Sequence, residues 1–391
     1  MPQEEKMQDK FCDLRSMFLE GPKQLCCDAM IFVDLVSLRY LLGFQGHELL
    51  DGCLVLTEAD ARFYTDRRYT EAMKDKLTSL GVAMVDWTDA PGVEQKFALL
   101  TQGRGDMFML WGIEDVSHSL FLAATKGLAS PSNPRRGRLR LRQGMVEALR
   151  QMKSEQEIAC LERAGVAIDA ALIETRRFIK PGMTELEIRE FLNAQLRHFS
   201  GEDDLSFPTI VAVGANAADP HYATGSRDRQ LKKRDDLILI DCGIKVDGYA
   251  GDATVTWFVG KPSRQMQLVY SAVKEASEEV IRQLKPGMVT GCTAHQVADA
   301  VLKKYGFDGL VGHGLGHGVG LCVHEAPYLS ARHPGGKTRL MFGNTFTVEP
   351  GYYIPGVGGV RLERSGVMTH IGFKPFNRLD FDLNEAVITF A

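Results

Sequence analysis

The stretch DLILIDCGIKVDGYAGDATVTWFVG (236–260) constrains the fold more than any other part of the chain. LILIDCG reads as one strand, Val246–Gly248 as a turn with an Asp-Gly signal, and YAGDATVTWFV as the return strand of a hairpin. Asp241 and Asp252 lie symmetrically about that turn, one on each strand, and both are flanked by apolar residues. Cross-strand neighbours sit roughly 5 Å apart. Two carboxylates held that close inside a protein repel each other unless they are protonated or bridged by a cation. Taken alone, the pair also fits an exposed hairpin, so the other acidic and imidazole residues have to decide.

HGLGHGVGLCVHE (313–325) places three histidines within thirteen residues, separated by Gly314, Gly316, Gly318 and Gly320. His313 and His317 would share a helix face, but each interior glycine costs a helix about 1 kcal/mol against alanine. The stretch therefore reads as extended or looped backbone running close to something. Glu349 ends an apolar strand-like run, NTFTVEPG (344–351), and Glu363 sits in another, GVRLERSG (359–366). Each could be salt-bridged, Glu363 to Arg361 or Arg364 for example. As a set, four carboxylates and one or more imidazoles suit Mn²⁺, Co²⁺, Zn²⁺ or Fe²⁺ better than a thiol site would. Four carboxylates also balance two divalent cations in formal charge.

The 391 residues imply two domains. Residues 28–126 alternate strand-like and helix-like runs: DAMIFVD (28–34), GCLVLT (52–57), a helical pattern after the arginines of RFYTDRRYTEAMKDKL (62–77), and GVAMVDW (81–87). That alternation points to an α/β domain, over 1–145. ASPSNPRRGRLRLR (129–142) carries two prolines and five arginines. It reads as a linker leading into an edge strand, not a nucleic-acid patch, because the run is short and the net charge is −4. From 145 the pattern is helical, and Ser154 with Glu157 forms a capping box that starts a second helix, stopped by Pro181 and Gly182. A faint repeat follows: a helix ending in Lys-Pro-Gly-Met and a second helix after a threonine, at Lys180 and again at Lys285. It implies that 146–391 consists of two related α/β halves with a site between them.

The N-terminal MPQEEKMQDK has no apolar core of a secretory signal, and the longest apolar runs are too short to span a bilayer. The eight cysteines include no C-x-x-C pair, which argues against a thiolate zinc site or a disulfide framework and for reduced thiols in a cytoplasmic protein.

The order Asp241, Asp252, His317, Glu349 in TVEPG and Glu363 in VRLE resembles the five-ligand signature of the pita-bread metallopeptidases, which include methionine aminopeptidase, prolidase and Xaa-Pro aminopeptidase. The resemblance covers about 150–391. It implies an α/β (α+β) pita-bread fold and a pair of divalent ions, Mn²⁺ first among them, that hold a bridging hydroxide as nucleophile. It implies His317 as metal ligand, His324 as the histidine that binds substrate and steadies the tetrahedral intermediate, His313 as an accessory proton-moving histidine, and His221 in DPHYATG as a catalytic histidine on the opposite wall. Glu349 doubles as acid/base, Arg361 orients a ligand carboxylate, and Tyr353 lies near the substrate. On this reading the glycines let the backbone approach the metal centre. His47, His118, His198, His295, His333 and His370 match nothing in the signature. Val255 stands where the family often has arginine, and Arg364 where it often has aspartate.

AMIFVDLVSLRYLLGFQG (29–46) and YTDRRYTEAM (64–73) are similar to the creatinase-type N-terminal domain of prolidases and Xaa-Pro aminopeptidases, which methionine aminopeptidases lack. The resemblance therefore implies hydrolysis of the Xaa-Pro bond of small peptides by a homodimer. Other readings are a non-catalytic binding protein on the same fold, a metal-independent hydrolase like creatinase, and an aminopeptidase of other N-terminal specificity.

Overall fold

The computed structural model describes residues 3–20, 26–101, 110–114, 116–129, 138–310 and 312–390. The chain divides into two compact units, Met1–Arg150 and Gln151–Ala391.

In the first unit a mixed six-stranded sheet runs in the order Ala83–Asp86, Ala61–Thr65, Gly52–Thr57, Ala29–Phe32, Leu110–Ile113, Arg138–Leu141. Ala29–Phe32 is central and buried throughout, paired antiparallel to Gly52–Thr57 and parallel to Leu110–Ile113. The helix expected after the arginines instead includes them, beginning at Arg67 and capped by the Asp66 side chain. Arg138–Leu141 takes the sheet edge, where its alternating arginines discourage a further strand from pairing. The remainder of the arginine-rich linker, 130–137, lies outside the described residues.

The second unit repeats one pattern twice. Helix Glu155–Phe178 opens with the Ser154–Glu157 capping box, and helix Glu185–Ser200 follows, capped by Thr184. Helices Arg264–Gln283 and Gly291–Lys304 form the second pair, the latter capped by Thr290. Between the helices of each pair a glycine takes a left-handed conformation, Gly182 at φ +89° and Gly287 at φ +72°. Their N–H groups donate to Leu231 O and Leu340 O, and Thr184 and Thr290 each form a bridge to the strand-like segment beyond, at Gln230 and Arg339. The repeated Lys-Pro-Gly-Met with its capping threonine is thus a repeated turn that docks a helix pair onto its own half. One half carries a four-stranded sheet ordered Val387–Ile388, Ala253–Val259, Asp236–Cys242, Ile210–Val213. The other carries five strands ordered Glu325–Leu329, Gly316–Gly318, Thr345–Val348, Arg364–Met368, Phe373–Pro375. A single apolar core joins the two, from Val213 and Ile238 to Phe346 and Leu362. This is the α/β pita-bread architecture.

The hairpin forms around Asp247 and Gly248, both with positive φ (49° and 80°), which are the conformations a two-residue turn requires. A turn centred there mirrors Asp241 onto Thr254 and Cys242 onto Ala253. The two aspartates are therefore not directly opposed, as the spacing about Val246–Gly248 suggested. Asp252 precedes its strand and lies diagonally across from Asp241 on the same face, a spacing of about 7–8 Å in a regular ladder.

Candidate metal centre and substrate cavity

The two halves bring Asp241, Asp252, His317, Glu349 and Glu363 to the wall of one cavity of about 770 Å³ in the second unit. Asp252, His317 and Glu363 each offer a ligand atom, and these atoms lie within 4.8 Å of one another. His317 sits on strand Gly316–Gly318, its N–H held by the Thr347 hydroxyl at 3.1 Å. Its Nδ1 donates to Gly318 O at 3.2 Å, leaving the Nε2 lone pair aimed at Glu349 Oε1 (3.5 Å) and Asp252 Oδ2 (3.7 Å). Burial and the neighbouring His324 push the His317 pKa down to about 3, so the ring is neutral. A lone pair facing carboxylate oxygens repels them unless a proton or a cation stands between. Donors about 2.1 Å from a shared tetrahedral ion lie about 3.4 Å apart, close to the two separations found.

The carboxylates show the same preference. Burial pushes Asp252 and Glu363 well above the usual carboxylate range; Glu363 raises Asp252 further, Glu349 raises Glu363, and Asp241 adds to both. Burial pushes Glu349 up to about 8, against the pull of Arg361. Asp241 Oδ1 and Glu363 Oε1 are buried without a hydrogen-bond partner. Four carboxylates against the one guanidinium of Arg361 leave a surplus of negative charge that divalent cations would neutralise. The donor set, oxygen with one nitrogen, fits such ions.

Arg361, 3% exposed, organises this charge. Its Nη2 donates to Asp241 Oδ2 at 2.6 Å, and its Nη1 donates to the Tyr353 hydroxyl and to Pro220 O. Its Nε donates to the Thr254 hydroxyl, which itself donates to Glu363 Oε2 at 2.6 Å. Burial works against the Arg361 charge, but Tyr353, Asp241, Glu349 and Glu363 hold it above the ordinary guanidinium range. Thr254 thus links Arg361 to a second carboxylate, a role the sequence reading missed although the Asp-x-Thr spacing placed it beside Asp252.

His313 has both ring nitrogens engaged, Nδ1 on Gly314 O and Nε2 on the Tyr353 hydroxyl, each at 2.7 Å. Burial and Arg361 push its pKa down to about 3, so Nε2 accepts the Tyr353 proton. His324 packs edge-on against His317, ring centroids 4.2 Å apart, and partial burial lowers its pKa. His221 lines the same cavity, as do Phe207, Pro208 and Ile210. Arg189, Tyr328, Ser330 and His333 also line it. His333 had matched nothing in the sequence; its ring stacks on Tyr328 at 3.8 Å. No spacing rule connects it to the centre, since a turn of irregular backbone returns it to the wall.

Gly314 and Gly316 line the cavity beside the metal ligands, and the glycines of this stretch are also packed tightly against the protein behind it. A Cβ on Gly316 would lie 2.1 Å from Thr347 O, one on Gly318 2.3 Å from Ala326 O, and one on Gly320 2.4 Å from Glu325 Oε1. They let neighbouring backbone and one buried carboxylate close in behind the loop. Val255 is buried in the core, and Arg364 donates to Leu379 O and covers the Phe381 ring.

The sequence pattern of metallopeptidase family M24 matches residues 159–370. An Xaa-Pro dipeptidase of Lactobacillus helveticus is 32% identical over 354 residues, 89% of this chain and 92% of that one. Among solved structures, an Xaa-Pro dipeptidase from Bacillus anthracis superposes with TM-score 0.86 at 30% identity, covering 98% of this chain and all of its own. An X-Pro aminopeptidase from Thermotoga maritima superposes with TM-score 0.78 at 30% identity, covering 93% and 98%.

Proposed function

The chain belongs to metallopeptidase family M24, and on that premise we propose that it hydrolyses the Xaa-Pro bond at the N-terminus of small peptides or in dipeptides. The carrying observation is the neutral His317 Nε2 facing Asp252 and Glu349 at 3.5–3.7 Å, with Glu363 in reach. Asp241, Asp252, His317, Glu349 and Glu363 would hold two divalent ions, Mn²⁺ first among the candidates, which when bound supply a water-derived nucleophile and polarise the scissile carbonyl. Glu349, on the cavity wall beside His317, would take the proton of the attacking water and return it to the leaving proline nitrogen. His324, beside His317, donates to the oxyanion as it forms. Arg361 fixes the Asp241 carboxylate directly and Glu363 through Thr254. Tyr353 does not itself line the cavity; its hydroxyl, held by Arg361, fixes the His313 ring that does, and His221 serves as the catalytic histidine of the opposite wall.

A prolyl amide has no N–H to donate, so a site specific for it needs none to accept it. The partly apolar wall of Phe207, Pro208, Ile210 and Val323 suits the pyrrolidine ring. The eight cysteines, none of them in a disulfide, suit a reducing cytoplasmic setting. Among the described residues no helix is long and apolar enough to cross a membrane. A homodimer is part of this reading on the resemblance alone, and sedimentation velocity checks it.

The test is hydrolysis of Ala-Pro, Ala-Pro-Ala and Met-Ala-Ala side by side by Mn²⁺-reconstituted protein. Cleavage of Ala-Pro alone identifies a dipeptidase, and cleavage of Ala-Pro-Ala an aminopeptidase. Cleavage of Met-Ala-Ala alone would overturn the proline specificity. Inertness toward all three, repeated with Co²⁺ and Zn²⁺, would favour a binding protein.

A further inference from the structure

The loop that presents His324 rests on a buried ion pair that the metal site does not use. Lys153 Nζ and Glu325 Oε1 are 2.6 Å apart, with side chains 2% and 8% exposed, across 172 positions of sequence. Glu325 immediately follows His324 and begins the strand Glu325–Leu329. Its second oxygen, Oε2, accepts from the Cys322 N–H at 3.2 Å, inside the loop that joins His317 to His324. The carboxylate is pressed beneath the same loop at Gly320, where no Cβ fits. At its other end the loop is held by Gly320 O, which accepts from Ala250 N–H, and by Val319, paired to Thr345.

Lys153 is itself fixed. Its N–H donates to Gly343 O, Asn344 donates to Gln151 O, and Met152 bridges Asn344. An ammonium anchored by three successive residues therefore holds the carboxylate that braces the loop. Burying two charges is costly unless their geometry is maintained, so the loop gains one well-defined position. That position sets the 4.2 Å edge-on contact of His324 with His317.

We propose that the buried Lys153–Glu325 pair positions the 319–324 loop and thereby the His324 imidazole, making Lys153 a positioning residue for the reaction. The inference rests on the role assigned above to His324. Misplacing a catalytic group by about 1 Å costs on the order of 10²-fold in rate.

The experiment is a double-mutant cycle on Xaa-Pro turnover by the metal-loaded full chain, using K153M, H324A and K153M/H324A, with metal content measured on each. The proposal expects K153M to lower kcat on the order of 10²-fold, with KM changed much less and metal content that of the wild type. It expects K153M to cost nothing further once His324 is alanine. Multiplicative losses in the double variant would overturn it. Should K153M not fold, K153M/E325Q removes both buried charges and goes through the same cycle with the same two outcomes. Wild-type kcat in H324A alone would instead sink the role given to His324, while leaving metal binding and proline specificity untouched.

Discussion

Replacing Thr254 with valine keeps the shape of the side chain and deletes one hydroxyl. That hydroxyl makes two charge-assisted bonds, from Arg361 Nε at 3.0 Å and to Glu363 Oε2 at 2.6 Å. Both partners are about as buried as a residue can be, at 3% and 2% exposure. Each hydrogen bond to a charged group contributes about 1.5–3 kcal/mol. Arg361 keeps its bonds to Asp241, Tyr353 and Pro220, so most of the loss falls on Glu363. In metal-stripped protein T254V should therefore lower stability by about 3 kcal/mol, read from the urea midpoint. In loaded protein it should weaken metal affinity roughly 10- to 100-fold, as removal of a residue that orients a ligand does, read by competition with a chelator. T254S, which keeps the hydroxyl, should stay near wild type in both. Equal behaviour of T254V and T254S would refute the link from Arg361 through Thr254 to Glu363.

Three further outcomes follow from the same geometry. H317A should abolish turnover and metal retention while the chain stays folded, whereas H324A should keep its metal and lose about 10²–10³-fold in kcat; metal loss in H324A would mean the two roles are exchanged. G320A should cost about 1–3 kcal/mol as an overpacking substitution, because the new Cβ would lie 2.4 Å from Glu325 Oε1, and a wild-type urea midpoint would show that the loop is not braced there. In metal-free protein the raised Glu349, at about 8, binds a proton that the unfolded chain has already released, so stability present at low pH is lost as pH rises toward 8. His313 and His317, lowered to about 3, act in the opposite sense and only below their ordinary pKa. The urea midpoint of stripped protein should fall between about pH 6.5 and 8, and a midpoint that rises there would contradict the burial of these carboxylates.

Much of the fold is written locally in the sequence. The Ser154–Glu157 capping box and the Asp-Gly turn each satisfy a backbone requirement within a few residues; the box forms as read, and the turn forms at Asp247–Gly248, slightly beyond the expected centre. The repeated Lys-Pro-Gly-Met is legible because the same turn recurs in both halves. What the sequence does not display is register and return. One residue in the turn centre moves Asp252 from opposite Asp241 to its diagonal. Gly316 packs against Thr347 of a distant strand, and Gly318 and Gly320 against Ala326 and Glu325 of the next one, contacts that no spacing in 313–320 announces. His333 and Arg189 reach the cavity by tertiary folding alone. Thr254 was within reach of the sequence, but a threonine in a strand looks like any β-branched residue until its hydroxyl is seen between Arg361 and Glu363.

The most direct test of the central claim is the metal content of Mn²⁺-reconstituted wild-type protein and of D252A, measured by inductively coupled plasma mass spectrometry after gel filtration. A centre built by Asp241, Asp252, His317, Glu349 and Glu363 predicts about two ions per wild-type chain and their loss from folded D252A, together with its Xaa-Pro turnover. A wild-type chain that retains no metal yet cleaves Xaa-Pro peptides, or a D252A chain that retains both ions, would contradict it.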